Sequence, residues 1–209
     1  MFNNTYGLTQ AVKKGLKTMT RRVLPLSEAD EEYLDQAFDW DLREHVILDR
    51  YAQYEVGETV AVAESYKEVW EEYRKRWEAK KNPSDWHTED AILGDLIQDA
   101  KGWNNKMFVR ADLMPTRILF TDRKIERLRS ISGEDCLKEG VMMDPVIGWY
   151  YFPNLHLHRK KKHTAGTELF ESPEAAYYSL CKKLRMVLDY AANPWVIAYT
   201  FELVKGDQQ

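Results

Sequence analysis

With 209 residues, 44% of them hydrophobic and 12% aromatic, the chain can bury a sizeable core and is not a disordered polymer. Its formal charge of −4 is local: residues 27–50 hold nine acids against two bases, a net of −7, and the rest of the chain is net +3. That balance leaves a polyanionic partner open, while no apolar run approaches the roughly 18 residues of a membrane span. Met1 to Tyr6 lack the basic start and apolar run of a signal peptide. Cys136 and Cys181 have no metal-type spacing and read as two buried thiols of a cytoplasmic protein.

The first element is a short helix from Tyr6 to Lys14, with Leu8, Ala11 and Val12 at i, i+3, i+4 and Gly15 as its left-handed stop. Thr18 to Leu24 then alternates like a strand. Between and within them, Gly15-Leu16-Lys17-Thr18-Met19-Thr20-Arg21-Arg22 brings three cations together with two hydroxyls. A helix cap followed by a polar strand would account for that stretch without any function.

Residues 27–50 form an acidic insertion. Ser27-Glu28-Ala29-Asp30 is an N-cap signature, and Leu34, Phe38 and Leu42 give a helix broken around Asp39-Trp40-Asp41. Its acids read as a solvated face, or alternatively as a face that overhangs the Lys17–Arg22 site and screens it. Val56 to Glu64 reads as the clearest strand, with Val60, Val62 and Glu64 on one face. Glu64 is expected either to end the strand in solvent or to meet a cation, with Arg22 and Arg110 as the candidates.

A second insertion spans residues 66–105. Tyr66, Val69, Trp70, Tyr73 and Trp77 mark one helical stripe, read as packing and not as base-stacking platforms. Trp86 to Ala100 resumes a helical period. Lys106 to Arg129 reads as two strands joined near Leu113-Met114-Pro115. Ser132 then caps a short helix ending at Glu139-Gly140.

The third insertion, 141–171, holds an aromatic run from Gly148 to Pro153 and then Arg159-Lys160-Lys161-Lys162. Such a basic run beside aromatics is what a nucleic-acid-contacting loop looks like, which makes Lys160, Lys161 and Lys162 the candidate phosphate contacts. His156 and His158 share a face of an extended chain, but no acid or thiol lies close enough in sequence to complete a metal site. No cofactor is expected either. Ser172-Pro173-Glu174 starts a helix, and Trp195 to Val204 is a strand apolar on nearly both faces.

Four pieces, in order, resemble the ASCH domain, a relative of the PUA family of small β-barrels. The first is Gly15, Lys17, Thr18, Thr20 and Arg22, similar to the G-x-K-T-x-T-x-R signature. The others are Tyr54–Val62 with its Val-Gly-Glu, Ile131–Gly140 with its closing Glu-Gly, and Asn193–Glu202. The resemblance implies one α+β domain over 1–209: a PUA-like mixed barrel of about five or six strands with flanking helices, enlarged by insertions at about 27–50, 66–105 and 141–171. It also implies a modified nucleoside or RNA as partner, in a cleft at the barrel mouth lined by Thr18, Arg21, Arg22, Glu64 and Arg110. One bacterial branch hydrolyses the acetyl amide of N4-acetylcytidine. Carried over by position, its catalytic residues are Lys17, Thr20 and Glu139. In that chemistry a lysine takes the threonine proton and a carboxylic acid serves the leaving amine. In a straight strand Lys17 and Thr20 face opposite ways, so the resemblance requires Lys17 to lie in the turn after Gly15. A non-catalytic binder of RNA or a modified base is the alternative, and a protein-interaction domain using the insertions is a third.

Overall fold

A computed structural model describes residues 2, 7–36, 39–79, 100–152, 168–186 and 193–204. The architecture is α+β. A strongly curled, four-stranded antiparallel half-barrel sheet runs in the order β1 (Met19–Val23), β6 (Trp195–Leu203), β3 (Arg117–Arg127), β2 (Thr59–Ala61). Two short strands, β4 (Met142–Met143) and β5 (Tyr150–Tyr151), form a separate hairpin, and Tyr150 also bridges Phe170. The chain divides into two compact units, one of 3–59 and 119–203, the other of 1–2, 60–118 and 204–209.

In the larger unit, β1 and β6 pair with Thr20 opposite Tyr199 and Arg21 opposite Ala198. Cross-strand partners share a face, so the two sides of β1 have different surroundings. On the Tyr199 side the ring contacts Tyr54 and Phe120, and Phe120 in turn meets Phe201. On the other side Val196 joins Leu128, Ile131, Cys136, Tyr177 and Cys181 in a buried core. The two thiols are free, and burial pushes both up to about 12, which keeps them inert.

The helices start where the sequence marks them. Ser27 accepts a hydrogen bond from Asp30 N at the head of α2 (Glu28–Asp35). Ser132 does the same for Asp135 N at α5 (Gly133–Lys138), and Ser172 for Ala175 N at α6 (Pro173–Lys183). Each satisfies one of the orphan donors of a first turn. The acidic insertion breaks at Asp39, whose left-handed φ of 54° precedes α3 (Trp40–Tyr51). Most of its acids are exposed, including Asp35, which pairs with Arg127, whereas Asp30 is buried against Arg50 and Tyr51 and the half-buried Glu44 accepts from Ile125 N. The expected first helix is α1 (Leu8–Lys13), and Tyr6 lies outside the described residues.

The smaller unit holds α4 (Tyr66–Ala79) and corrects two readings. The strand expected from Val56 to Glu64 is regular only over Thr59–Ala61. Val62 N still donates to Thr116 O, but Glu64 lies beyond the ladder and is fully buried. The strand expected from Lys106 is instead two single 3₁₀ turns, at Lys106–Phe108 and Ala111–Leu113. Asn105 caps the first through Met107 N, and this side-chain bond competes with an extended backbone that the alternating pattern alone favours. Tyr66 and Met114 centre the core here, with Val69, Trp103 and Val109 packed around them. Trp86 and most of the helix expected to Ala100 lie outside the described residues.

Candidate functional site

Gly15 stops α1 in the left-handed conformation, at φ 69°. Leu16 N and Lys17 N both fold back to Ala11 O, so Lys17 sits in the turn and is free of the strand's alternation. Thr18 N then donates to Lys138 O, and Phe201 N donates to Thr18 O. These two bonds tie the start of β1 to the end of α5 and to β6.

That tether brings the turn to Glu139, the C-cap of α5. Lys17 Nζ lies 2.5 Å from Glu139 Oε2, and it also donates to Glu139 O at 2.9 Å and Met19 O at 2.7 Å. The lysine is 2% exposed and Glu139 is 3% exposed. Burial holds the Lys17 ammonium below its ordinary value, and the Glu139 carboxylate opposes that shift.

Arg21 points to the same carboxylate from β1. Its Nη1 donates to Glu139 Oε1 at 3.1 Å, its Nε to Glu126 Oε1 at 2.7 Å and its Nη2 to Asp135 Oδ2 at 3.0 Å. The side chain is fully buried over the Tyr177 ring. Burial works against its charge, but Glu139, Tyr177 and Glu126 outweigh that and hold the guanidinium above its ordinary value. Lys124 closes the network, 3.1 Å from both Glu126 and Asp135. Lys17, Arg21 and the partly exposed Lys124 thus face Glu126, Asp135 and Glu139, and Lys138 approaches Asp135 at 3.5 Å from the same helix.

Thr20 faces the other side of β1, with Tyr199. Its Oγ1 accepts from Arg22 Nη1 at 2.9 Å, and the same Nη1 donates to Arg21 O. Thr18 is half-buried between the two tether bonds. The sequence-derived set thus falls into two groups here: Lys17, Glu139 and Arg21 meet, and Thr20 meets Arg22.

In the smaller unit Glu64 accepts from Thr116 Oγ1 at 3.0 Å; burial holds the half-buried Lys106 below its ordinary value, against the charges of Glu68 and Glu64. Glu64 is buried, so of its two expected places the solvent-exposed end is corrected. Arg110, one of the two candidate cations, is exposed and pairs with Asp112 at 2.5 Å, and Arg22, the other, donates to Thr20 Oγ1. Lys160, Lys161 and Lys162, with His156 and His158, lie outside the described residues.

Sequence reasoning missed Asp135, Glu126 and Lys124. The signal was present: Asp135 and Glu139 are i, i+4 on one helix face, and Lys124 and Glu126 share a strand face. Among the described residues no group of three or more His, Cys, Asp or Glu is arranged to hold a metal ion, and no helix is long and apolar enough to cross a membrane. Family models, curated proteins and solved structures give no match to this chain.

Proposed function

We propose that the chain is an ASCH-like domain, built on a PUA-like barrel, that hydrolyses an amide of a modified nucleoside such as N4-acetylcytidine, free or in RNA. The observation that carries this reading is the buried pair of Lys17 and Glu139, two residues 122 apart in sequence that the resemblance had already named as partners in catalysis. Lys17 also lies in the turn after Gly15, as that chemistry requires.

In this reading the proton on Lys17 Nζ moves to Glu139 across their hydrogen bond. The step then requires the Thr20 hydroxyl, held by Arg22 on the other side of β1, to leave that bond and reach the freed amine, which takes its proton as Thr20 Oγ1 attacks the acetyl carbon. The C–N bond breaks as Glu139 returns its proton to the leaving amine, and water then releases acetate from the threonine ester. Desolvation of Lys17 favours the first transfer.

A second reading, a non-catalytic binder of RNA or a modified base, draws on a different observation. Thr20 Oγ1 is held by Arg22, a guanidinium that cannot serve as a base, and Lys17 Nζ is engaged by three acceptors. Hydrolysis of free N4-acetylcytidine, and of the same base in a short RNA, separates the two. The enzyme reading expects acetate release that is lost in Lys17→Ala and Thr20→Ala. Tight binding of RNA without cleavage leaves the binder. Cleavage that survives Thr20→Ala removes the nucleophile and keeps the enzyme.

A further inference from the structure

Arg21 stands in the basic stretch that the sequence assigns to ligand contact. Its surroundings rule that use out. The side chain is 1% exposed, and its nitrogens are directed to Glu126, Asp135, Glu139 and the Met19 sulfur. A ligand would have to displace a buried carboxylate to reach it, leaving that charge uncompensated.

What Arg21 does hold is one half of Glu139. The two oxygens of that carboxylate are divided, Oε1 to Arg21 Nη1 and Oε2 to Lys17 Nζ. A carboxylate has broad freedom about its last torsion, so one cation alone leaves its rotation loosely set. Two cations on opposite oxygens fix it. Arg21 is in turn anchored by Glu126 and Asp135, and Lys124 bridges those two acids from the far side.

We infer that Arg21 is a positioning residue, which orients the Glu139 carboxylate toward Lys17 through an anchor made of Glu126, Asp135 and Lys124. The inference rests on the proposed role of the Lys17–Glu139 pair, and it assigns Arg21 to that pair and not to substrate. Lysine cannot replace it. An ammonium offers one point of charge, whereas three acids in three directions need the planar fork of a guanidinium.

The test uses the full chain with Arg21→Lys and Glu126→Gln. The second variant loosens the anchor without touching Lys17 or Glu139, and it decides the matter if Arg21→Lys does not fold. Two readouts are taken on each folded variant. One is the side-chain ¹⁵Nζ resonance of Lys17 by NMR, whose position and proton exchange report the pairing directly. The other is kcat and KM for N4-acetylcytidine.

Both variants should shift the Lys17 resonance and speed its proton exchange. In both, kcat should fall, on the order of a hundredfold for Arg21→Lys, because the reacting groups are misplaced. KM should hold within about twofold, since Arg21 contacts no substrate. A folded variant with an unchanged Lys17 resonance overturns the inference, as does a KM rise at constant kcat, which would mark a ligand contact. If the wild type cleaves no amide, the enzymatic reading has failed, and the Lys17 resonance alone decides whether Arg21 positions the pair.

Discussion

Gly140 turns the chain beside Lys17: a Cβ built on it would lie 3.5 Å from the Lys17 Cβ and 3.7 Å from that of Ala11. Those are ordinary van der Waals distances, so space is not what demands glycine here. The backbone is. At φ 100° a side chain pays the strain of the left-handed side of the map. Gly140→Ala should therefore destabilise by about 1–2 kcal/mol through strain alone, with little rearrangement around Lys17. Urea unfolding checks this. An unchanged midpoint would mean that the turn after Glu139 relaxes to a negative φ.

A second contrast concerns Arg127 on β3. Its guanidinium stacks 4.3 Å from the centroid of the buried Trp195 ring, and it donates to Asn193 O and to both oxygens of Asp35. The partner Asp35 is exposed, so water and salt screen the ion pair, whereas the Trp195 ring that the guanidinium contacts is buried. Asp35→Asn should cost less than about 0.5 kcal/mol. Arg127→Met should cost about 1–2 kcal/mol, since the cation–π contact and the Asn193 bond are both lost. Equal losses in the two variants would reverse this ranking.

The buried network also sets a pH dependence. Burial raises the Asp135 carboxyl, but the hydrogen bond and charge of Lys124, followed by the charges of Arg21 and Lys138, outweigh it and hold the group below its ordinary 3.8. The unfolded chain then binds the proton more tightly than the folded one. Asp135 thus contributes stability that is complete above the ordinary carboxylate value and is lost as pH falls through the lower folded value. Unfolding free energy should fall on acidification below about pH 4, and Asp135→Asn should flatten part of that slope while lowering stability at pH 7. Denaturant titrations across that range measure both. An identical acid slope in the variant would show that other carboxylates carry it.

Local chemistry was legible in the sequence and long-range pairing was not. Ser27, Ser132 and Ser172 announce their helices because a cap is decided by the next three residues. Asp39 and Gly15 mark their breaks for the same reason. Arg21 was different: its partners Glu126, Asp135 and Glu139 lie 105, 114 and 118 residues away, so nothing nearby signalled that the cation would be buried. Alternation did contain half of that answer, since it places Arg21 and Thr20 on opposite faces of one strand. For Glu64 the sequence left a solvent end and an interior place both open, and it could not choose because Thr116, which donates to it, comes from 52 residues further on. The acids of 27–50 are mostly the solvated face that their spacing suggested, and only Asp30, which is buried, and Glu44, which takes the Ile125 amide from β3, depart from it.

The partner question turns on the charges that α2 and α3 leave over. Residues 27–50 carry a net of −7 with Arg50, the partner of Asp30, already counted, so of these two pairs only Arg127 on Asp35 offsets that charge from outside the segment. The basic run Lys160-Lys161-Lys162 remains the strongest local attraction in the sequence for a phosphate backbone. On the RNA reading, affinity should fall steeply with salt, and replacing all three lysines with alanine should reduce the log–log salt slope by roughly 2, at about 0.7 for each lost contact to a single strand. Binding of a free nucleoside should stay the same in that variant, because a neutral ligand releases no counterions. Fluorescence anisotropy of a labelled RNA at several salt concentrations, with calorimetry of the nucleoside, measures the pair. A slope that survives the triple replacement would move the phosphate contacts elsewhere on the chain, and salt-independent RNA binding would leave the small molecule as the ligand.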